Sequence, residues 1–165
     1  ARDDFYASAF GSFYSAYMRR PWLARRISQL VWGGDLGPYY DRMAAIAEID
    51  TGRTIVDCPC GAGVAFSLFS PPPDVRYVAV DLHRLCWRVS ARGAQALGLH
   101  GIECVRGEAA AIPLPDATAD LFLSLWGLHR FPDPAAAIGD AARVLAPGGR
   151  LVGCTFVRGS DSLRQ

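Results

Sequence analysis

Short apolar runs alternating with helix-like segments are the feature that most constrains how this chain can fold. The runs begin near residues 54, 75, 102, 119 and 150, and glycine and proline mark many of the breaks between segments. Strands and helices in repeated order predict parallel strand pairs joined by right-handed crossovers. Successive positions within the runs are apolar, as in parallel strands that are buried on both faces. The sequence therefore predicts an α/β fold with an open, mostly parallel sheet and helices on both faces.

The first fifty residues lack this alternation and are expected to form an N-terminal helical cap. Helices are predicted over about residues 5–18, 21–32 and 39–49, with a glycine-rich break at 33–38. The cap is rich in aromatic side chains, which are expected mainly to pack on the sheet. We therefore predict a cap at residues 1–50 and a core at residues 51–165.

Composition excludes several classes of protein. Of the 165 residues, 51% are hydrophobic and 20% are charged, which indicates a globular chain. The net charge of +1 gives no reason to expect nucleic acid or an anionic membrane as the main partner. No apolar run is long enough for stable membrane insertion, and no signal peptide is visible.

The five cysteines are expected to be free thiols, because most of them lie in or beside apolar runs. This usage favours a reducing, cytoplasmic setting. Cys58 and Cys60 have C-x-C spacing, and no second Cys/His pair lies nearby at the spacing of zinc ligands. The sequence therefore predicts no metal site.

Two acids follow the first two predicted strands, at the edge where open α/β sheets bind ligands. Asp57 begins a turn that contains Gly61 and Gly63, and such a turn lets a cofactor approach bare backbone. Asp81 follows the turn by about 20 residues, the spacing of an acid that accepts hydrogen bonds from the ribose of an adenosine cofactor. The alternatives are a tight turn without a ligand and an Asp81 that caps the following helix.

Four blocks of sequence resemble class I S-adenosylmethionine-dependent methyltransferases. Residues 56–63 (VDCPCGAG) resemble the family's first motif, an acid followed by three glycines at alternate positions, with Pro59 in place of the first glycine. The other blocks are similar to ubiquinone/menaquinone-type methyltransferases: 107–120 (GEAAAIPLPDATAD), 125–133 (LWGLHRFPD) and 143–151 (RVLAPGGRL). The resemblance covers about residues 53–156 and implies a Rossmann-like core.

The resemblance implies S-adenosylmethionine as the cofactor, with S-adenosylhomocysteine as the product. Asp57 would hold the methionine end, Asp81 the ribose and Glu108 the adenine amino group. The implied cofactor-binding positions are Asp57, Cys58, Pro59, Cys60, Gly61, Gly63, Asp81, Leu82, Gly107, Glu108, Ala109, Leu125 and Trp126. We add Tyr39 and Tyr40, which open the helix before the first strand and could line the cofactor's carboxylate and an apolar acceptor site.

The implied reaction is direct methyl transfer to a small, apolar or aromatic acceptor. His129 is the candidate catalytic residue, because histidine can act as a general base near neutral pH. A base is needed only if the acceptor must lose a proton. The alternative is that His129 shapes the pocket or satisfies local backbone groups.

Two other functions are alternatives to methyl transfer. An NAD-dependent oxidoreductase would need a third glycine near Phe66, and this chain has none there. A catalytically inactive cofactor-binding or assembly subunit is the second alternative. The chain ends soon after the fifth predicted strand, whereas the full fold continues with another helix and two antiparallel strands. Because proteins normally cover exposed strand edges, we expect an incomplete core, or a homo-oligomer that covers the edge of strand five.

Overall fold

A computed structural model of the chain describes residues 13, 16–46, 49–50, 52–69, 71–72, 74–83, 91–99 and 101–155. The helices are α1 (Pro21–Trp32), α2 (Gly37–Ile46), α3 (Val64–Phe69) and α4 (Pro134–Val144). The strands are β1 (Thr54–Asp57), β2 (Arg76–Asp81), β3 (Ile102–Arg106), β4 (Ala119–Leu125) and β5 (Leu145–Cys154). In addition, Leu128–Arg130 form a 3-10 turn and residues 91–96 are helical.

The five strands form one sheet in the order β3-β2-β1-β4-β5, and every neighbouring pair is parallel. This confirms the predicted open α/β sheet. From β1 the chain builds outward through β2 and β3, then returns to the other side of β1 to form β4 and β5. The direction of winding therefore reverses between β1 and β4, and a ligand crevice is expected at their carboxyl ends.

Side chains on the two faces of the sheet enter two separate hydrophobic clusters. One face packs with residues of α1, α2 and α3, and its sheet members include Ile55, Tyr77, Ala79, Leu121 and Leu123. The other face packs with α4, and its sheet members include Val56, Val78, Val80 and Phe122. Because the central strands are covered on both sides, they are apolar at successive positions, as predicted.

The cap is joined to the core through buried side chains and a hydrogen bond. Met43 and Ile46 of α2 belong to the first hydrophobic cluster. The Arg19 guanidinium donates to the Ala62 carbonyl at 2.9 Å, which ties the cap to the turn after β1. Most of the helix predicted at residues 5–18 lies outside the described residues, and the boundary near residue 50 stays a prediction.

The prediction for the start of β5 was wrong. We expected a helix to Leu145 and a strand from Arg150, but α4 ends at Val144 and β5 begins at Leu145. Leu145 pairs with Ala119, and Arg150 pairs with Leu121, so β5 carries extra residues that have no partner in β4. The Pro-Gly-Gly sequence at 147–149 is therefore an irregularity within the strand and not a turn before it.

Arg143 fixes the long segment between β3 and β4 onto α4. Its guanidinium donates to the carboxylates of Asp140 at 2.6 Å and Asp116 at 2.7 Å. It also donates to the carbonyls of Leu114 and Ile112, each at 2.9 Å. The segment holds several candidate site residues, and this network gives it a defined position.

The sheet and its cysteines have two further features that bear on function. In the part of the chain that the structure describes, β5 is paired on one side alone and is an edge of the sheet. Its Leu151 side chain is exposed. Cys58, Cys60, Cys104 and Cys154 are free thiols, while Cys86 lies outside the described residues.

No group of three metal-ligating side chains occurs among the described positions. None of the described helices has the length and apolar character needed to cross a bilayer.

Candidate functional site

A cleft lies at the carboxyl ends of β1 and β4, beside the cap. It encloses about 500 Å³ of empty space, including the part that is open to solvent. The lining combines the turn after β1 with the end of β4 and two elements of the cap: Met18, Tyr39, Asp57, Pro59, Cys60, Gly61, Ala62, Val64, Ala65, Leu125 and Trp126. The structure thus brings together Tyr39, Asp57, Pro59, Cys60, Gly61, Leu125 and Trp126 from the predicted set.

Asp57 is the charged residue of this lining. Its carboxylate is buried, and its Oδ2 accepts a hydrogen bond from the Tyr77 hydroxyl at 2.8 Å. Within the described residues, Oδ1 has no hydrogen-bond partner. The pKa of Asp57 is raised to about 7, mainly by burial; the Tyr77 hydrogen bond acts in the opposite direction, and the charge of the nearby Asp81 adds to the rise. A buried carboxylate with one oxygen that lacks a hydrogen-bond partner fits a cationic or hydrogen-bond-donating group in the cleft.

The turn after β1 depends on glycine at two positions. Gly61 and Gly63 have φ angles of 52° and 71°, in the left-handed region that other residues rarely adopt. A Cβ atom on Gly63 would overlap the ring of Phe66, which is fully buried beneath it. Phe66 occupies the position where a dinucleotide-binding fingerprint needs a glycine for close helix packing. The turn is therefore supported by an aromatic ring, which counts against the oxidoreductase alternative.

Asp81 ends β2 and is hydrogen-bonded to the same turn. Its Oδ2 accepts from the Gly61 N–H at 3.0 Å, and its Oδ1 accepts from the His83 N–H at 2.9 Å. The bond from His83 resembles a helix-capping contact. Capping is the alternative to ribose binding in the interpretation of this acid. Burial raises the pKa of Asp81, while the bonds from His83 and Gly61 and the charge of Arg130 lower it. A carboxylate has about four acceptor positions, so both oxygens can still accept from a ligand.

The other positions assigned to the adenosine lie at the carboxyl ends of β2 and β3, outside the cleft lining. Leu82 is 49% exposed, which leaves an apolar surface directly after Asp81. The Gly107 N–H donates to the Asp81 carbonyl at 3.1 Å. Glu108 is exposed and forms a bridge with Ala111. Gly107 is thus hydrogen-bonded to Asp81, and Asp81 is hydrogen-bonded to Gly61 of the turn that lines the cleft.

Cys58 and Ala109 are placed differently from the rest of the set. Both line a second, apolar cavity, whose other lining residues include Phe122, Ala137 and Ala141. Cys58 belongs to the hydrophobic cluster on the α4 face, whereas Asp57 lines the cleft. The structure therefore does not bring the Cys58 side chain into the cleft.

The two candidate tyrosines have different positions. Tyr39 lines the cleft, and its ring centroid is 5.9 Å from that of Trp126 and 5.0 Å from that of Tyr40. Tyr40 lies outside the lining and donates to the Met18 carbonyl at 2.8 Å. Trp126 has a φ of 57°, and such strained backbone tends to occur at functional sites.

His129 lies on the 3-10 turn after β4, exposed and outside the cleft lining. Its Nδ1 is 3.1 Å from the Thr155 hydroxyl. Partial burial lowers the pKa of His129, and the charge of Arg130 lowers it further, which favours the neutral imidazole that a base requires. Its catalytic role stays a prediction.

Sequence reasoning missed three residues that shape the cleft: Tyr77, Arg19 and Gly127. Tyr77 could have been found, because a tyrosine in a buried central strand needs a partner for its hydroxyl. Strand alternation places it on the same face as Asp57, since Tyr77 pairs with Ile55. Arg19 and Gly127 act through contacts between distant segments, for which the sequence carries no local signal.

A side chain at Gly127 is expected to destabilise the fold, because the Pro59 ring occupies the space that it would need. A Cβ atom on Gly127 would overlap the Pro59 ring, although its φ of −99° suits any residue. Gly127→Ala should therefore lower the free energy of unfolding by about 1–3 kcal/mol through overpacking, as measured by urea denaturation. Adding Pro59→Gly should restore most of the loss. Gly139→Ala is the control, because a Cβ there meets nothing within 4 Å; equal effects of the two single variants would contradict this account.

The chain is similar in sequence to known methyltransferases. A family described as a methyltransferase domain matches residues 56–153. A demethylmenaquinone methyltransferase of Thermus thermophilus is 33% identical over 128 residues, which cover 77% of this chain and 57% of that protein. A ubiquinone/menaquinone biosynthesis C-methyltransferase of Caulobacter vibrioides is 30% identical over 142 residues, with coverages of 80% and 55%. The chain thus spans about half the length of these relatives.

Solved structures show the same fold. The YcgJ protein of Bacillus subtilis superposes with a TM-score of 0.67 at 27% identity, covering 75% of this chain and 53% of that one. A SAM-dependent methyltransferase of Aquifex aeolicus gives 0.65 at 23% identity, with coverages of 71% and 63%. The 4+2 cyclase SpnF gives 0.64 at 25% identity, with coverages of 70% and 43%, so the fold alone does not fix the reaction. From the family match over more than half of its residues, the chain belongs to the class I S-adenosylmethionine-dependent methyltransferases.

Proposed function

We propose that the cleft binds S-adenosylmethionine and that the protein transfers its methyl group to a small, apolar or aromatic acceptor. Asp57 would face the methionine end of the cofactor, and Asp81 would accept from the ribose hydroxyls. The observation that carries this proposal concerns Asp57 Oδ1, a buried acceptor of a residue that lines the cleft. Among the described residues, this oxygen has no hydrogen-bond partner. A buried acceptor of this kind is costly unless a ligand or solvent donates to it.

The charge of the cleft suits this cofactor. S-adenosylmethionine carries a sulfonium and an ammonium group, both cationic. Asp57 supplies the complementary charge, and Tyr39 and Trp126 supply aromatic rings, which attract cations. Among the described residues, the lining contains no Arg, Lys or His side chain that would repel a cation.

When bound, S-adenosylmethionine supplies a methyl group that is already activated for attack, so the protein's task is to orient the reactants. Gly61 lines the cleft without a side chain, which allows a ligand to approach the backbone, whereas Gly63 lies outside the lining and leaves room for the Phe66 ring. Leu125 and Trp126 close the cleft on the β4 side, and Met18 and Tyr39 close it on the cap side. These four side chains would exclude water from the reacting groups.

The acceptor class is supported by the chemistry of the lining and by the names of relatives. Met18, Leu125 and Trp126 give much of the cleft an apolar surface. Two relatives are named for the methylation of menaquinone or ubiquinone precursors, and a third, 31% identical over 112 residues, is a 27-O-demethylrifamycin SV methyltransferase. All three names indicate small organic acceptors. His129 would serve as a base only for an acceptor that must lose a proton.

Calorimetric titration with S-adenosylmethionine and S-adenosylhomocysteine tests the proposal. The wild-type chain should bind both, and Asp81→Asn should weaken both by about 10- to 100-fold, the scale of a lost hydrogen bond to a charged group. The matched control is Asp74→Asn, because Asp74 is an exposed acid just before the amino end of the same strand. Equal affinities of the two variants would contradict the role of Asp81, and a wild-type chain that binds neither ligand would contradict the proposal.

A further inference from the structure

We propose that Tyr77 is a positioning residue for cofactor binding, which holds the Asp57 carboxylate ionised and turned so that Oδ1 faces the methionine ammonium group. This inference rests on the proposed function. Tyr77 is not among the described residues that line the cleft, but its hydroxyl contacts Asp57, which does line it. It would act through Asp57 alone.

Neighbouring strands bring the two side chains together. Tyr77 on β2 pairs with Ile55 on β1, so it projects to the same face of the sheet as Asp57, two residues further along β1. The Tyr77 hydroxyl donates to Asp57 Oδ2 at 2.8 Å. Tyr77 is 0% exposed and Asp57 is 1% exposed, so water cannot easily replace this bond. With Oδ2 occupied, Oδ1 is the oxygen left for a ligand.

The Tyr77 ring packs against Phe66, the same side chain that lies under the glycine turn. Its centroid is 5.7 Å from that of Phe66, with the rings at 84° to each other. Phe66 in turn lies directly under Gly63, where a Cβ atom would overlap it. The hydroxyl of Tyr77 and the turn therefore share one rigid support. The acid that faces the ligand and the backbone that the ligand approaches are fixed relative to each other.

Of the groups that act on the charge of Asp57, Tyr77 is the one that stabilises it. The titratable neighbours that act on the pair come from β2, the turn after β1 and the cap: Asp81, Cys58, Cys60 and Tyr39. Asp81 repels the charge of Asp57, and burial disfavours it as well. The Tyr77 hydrogen bond is the contribution that lowers the pKa of Asp57, which still lies at about 7. Without the hydroxyl, more of Asp57 would be protonated at neutral pH and unable to pair with an ammonium group.

Tyr77→Phe isolates this role, because it keeps the ring packed on Phe66 and removes the hydroxyl. Two ligands are titrated from pH 6 to pH 9: S-adenosylhomocysteine, which has the amino-acid end, and 5′-methylthioadenosine, which lacks it. At pH 7 we expect the variant to bind S-adenosylhomocysteine about 10-fold more weakly, the scale of one hydrogen bond to a charged group. Affinity for 5′-methylthioadenosine should stay within about twofold. Binding of S-adenosylhomocysteine should weaken as pH falls and Asp57 becomes protonated. In the variant, the midpoint of this loss should lie about one pH unit higher than in wild type.

A double-mutant cycle with Asp57→Asn completes the test. If Tyr77 acts through Asp57, Tyr77→Phe should have little further effect on S-adenosylhomocysteine binding in the Asp57→Asn background. Equal weakening of both ligands, an unshifted pH profile, or additive effects of the two substitutions would each overturn the proposal and assign Tyr77 a merely structural role. A wild-type chain that binds neither ligand would instead overturn the proposed function, and this inference with it.

Discussion

Gly63→Ala is expected to lower the free energy of unfolding by about 2–5 kcal/mol. Two costs add at this position. Gly63 has a φ of 71°, which is unfavourable for alanine, and a Cβ atom would overlap the buried Phe66 ring. The ring cannot move away easily, because it packs against Tyr77. Urea denaturation of the two proteins measures the difference.

Gly98→Ala is the matched control, since it separates the two costs. Gly98 has a φ of 68°, but a Cβ atom there would meet nothing within 4 Å. It should therefore show the conformational cost alone, about 1–2 kcal/mol. If Gly63→Ala were no more destabilising than Gly98→Ala, the Phe66 ring would not be the rigid support that we describe.

Asp57→Asn is expected to have the opposite effect on stability, raising the free energy of unfolding at pH 8 by about 2–4 kcal/mol. The pKa of Asp57 is raised from 3.8 to about 7 in the folded protein, and each unit corresponds to about 1.4 kcal/mol. Between these values the folded state binds more protons than the unfolded state, so wild-type stability falls as pH rises through this window. Asparagine does not ionise, and it can still accept from the Tyr77 hydroxyl.

Denaturation curves from pH 4 to pH 9 test this prediction. The advantage of Asp57→Asn should be small near pH 4, grow to about pH 7 and then remain constant. Asp120→Asn serves as a control of opposite sign, because hydrogen bonds from the Thr54 N–H and Arg53 lower the pKa of Asp120. That variant should be less stable than wild type by a constant amount from about pH 5 upward, because the stability that the lowered pKa of Asp120 contributes is gained as pH rises to about 4. An Asp57→Asn protein that is less stable than wild type at pH 8 would contradict the assigned pKa.

The two effects of Asp57 explain why an acid stands at this position. Its charge destabilises the folded chain at neutral pH, and Asp57→Asn should also weaken cofactor binding. A residue that reduces stability and serves a ligand is typical of a functional site. The same reasoning separates Asp57 from Asp120, whose charge stabilises the fold.

The sheet could be predicted because each central strand is short, apolar at successive positions and bounded by glycine, proline or aspartate. β1, β2 and β4 follow this pattern, and the structure confirms their parallel pairing. The start of β5 could not be predicted, because proline and two glycines normally end a strand or a helix. Here the pairing of Leu145 with Ala119 keeps that sequence within the strand.

The site could be predicted as far as it depends on local motifs. The turn at 57–63 and Asp81 were found from the strand ends and from the resemblance, and the structure joins them through the Gly61 N–H. Contacts between distant segments were not found: the packing of Pro59 against Gly127 and the bond from Arg19 to the turn. Such contacts depend on the three-dimensional approach of segments, and single-sequence patterns do not encode it.

Among the described residues, β5 is paired on one side alone, which leaves one prediction open. Proteins seldom leave a long strand edge exposed, so we still expect a second copy of the chain, or residues outside the described ranges, to cover it. Sedimentation analysis separates these possibilities. A dimer of this chain would support the second copy, and a 17.8 kDa monomer would count against it.

A crystal structure with S-adenosylhomocysteine tests the central claim most directly. We predict that the ligand occupies the cleft at the ends of β1 and β4, with its ribose hydroxyls on Asp81 and its ammonium group facing Asp57 Oδ1. A ligand bound elsewhere, or bound in the cleft with no contact to either acid, would contradict the account.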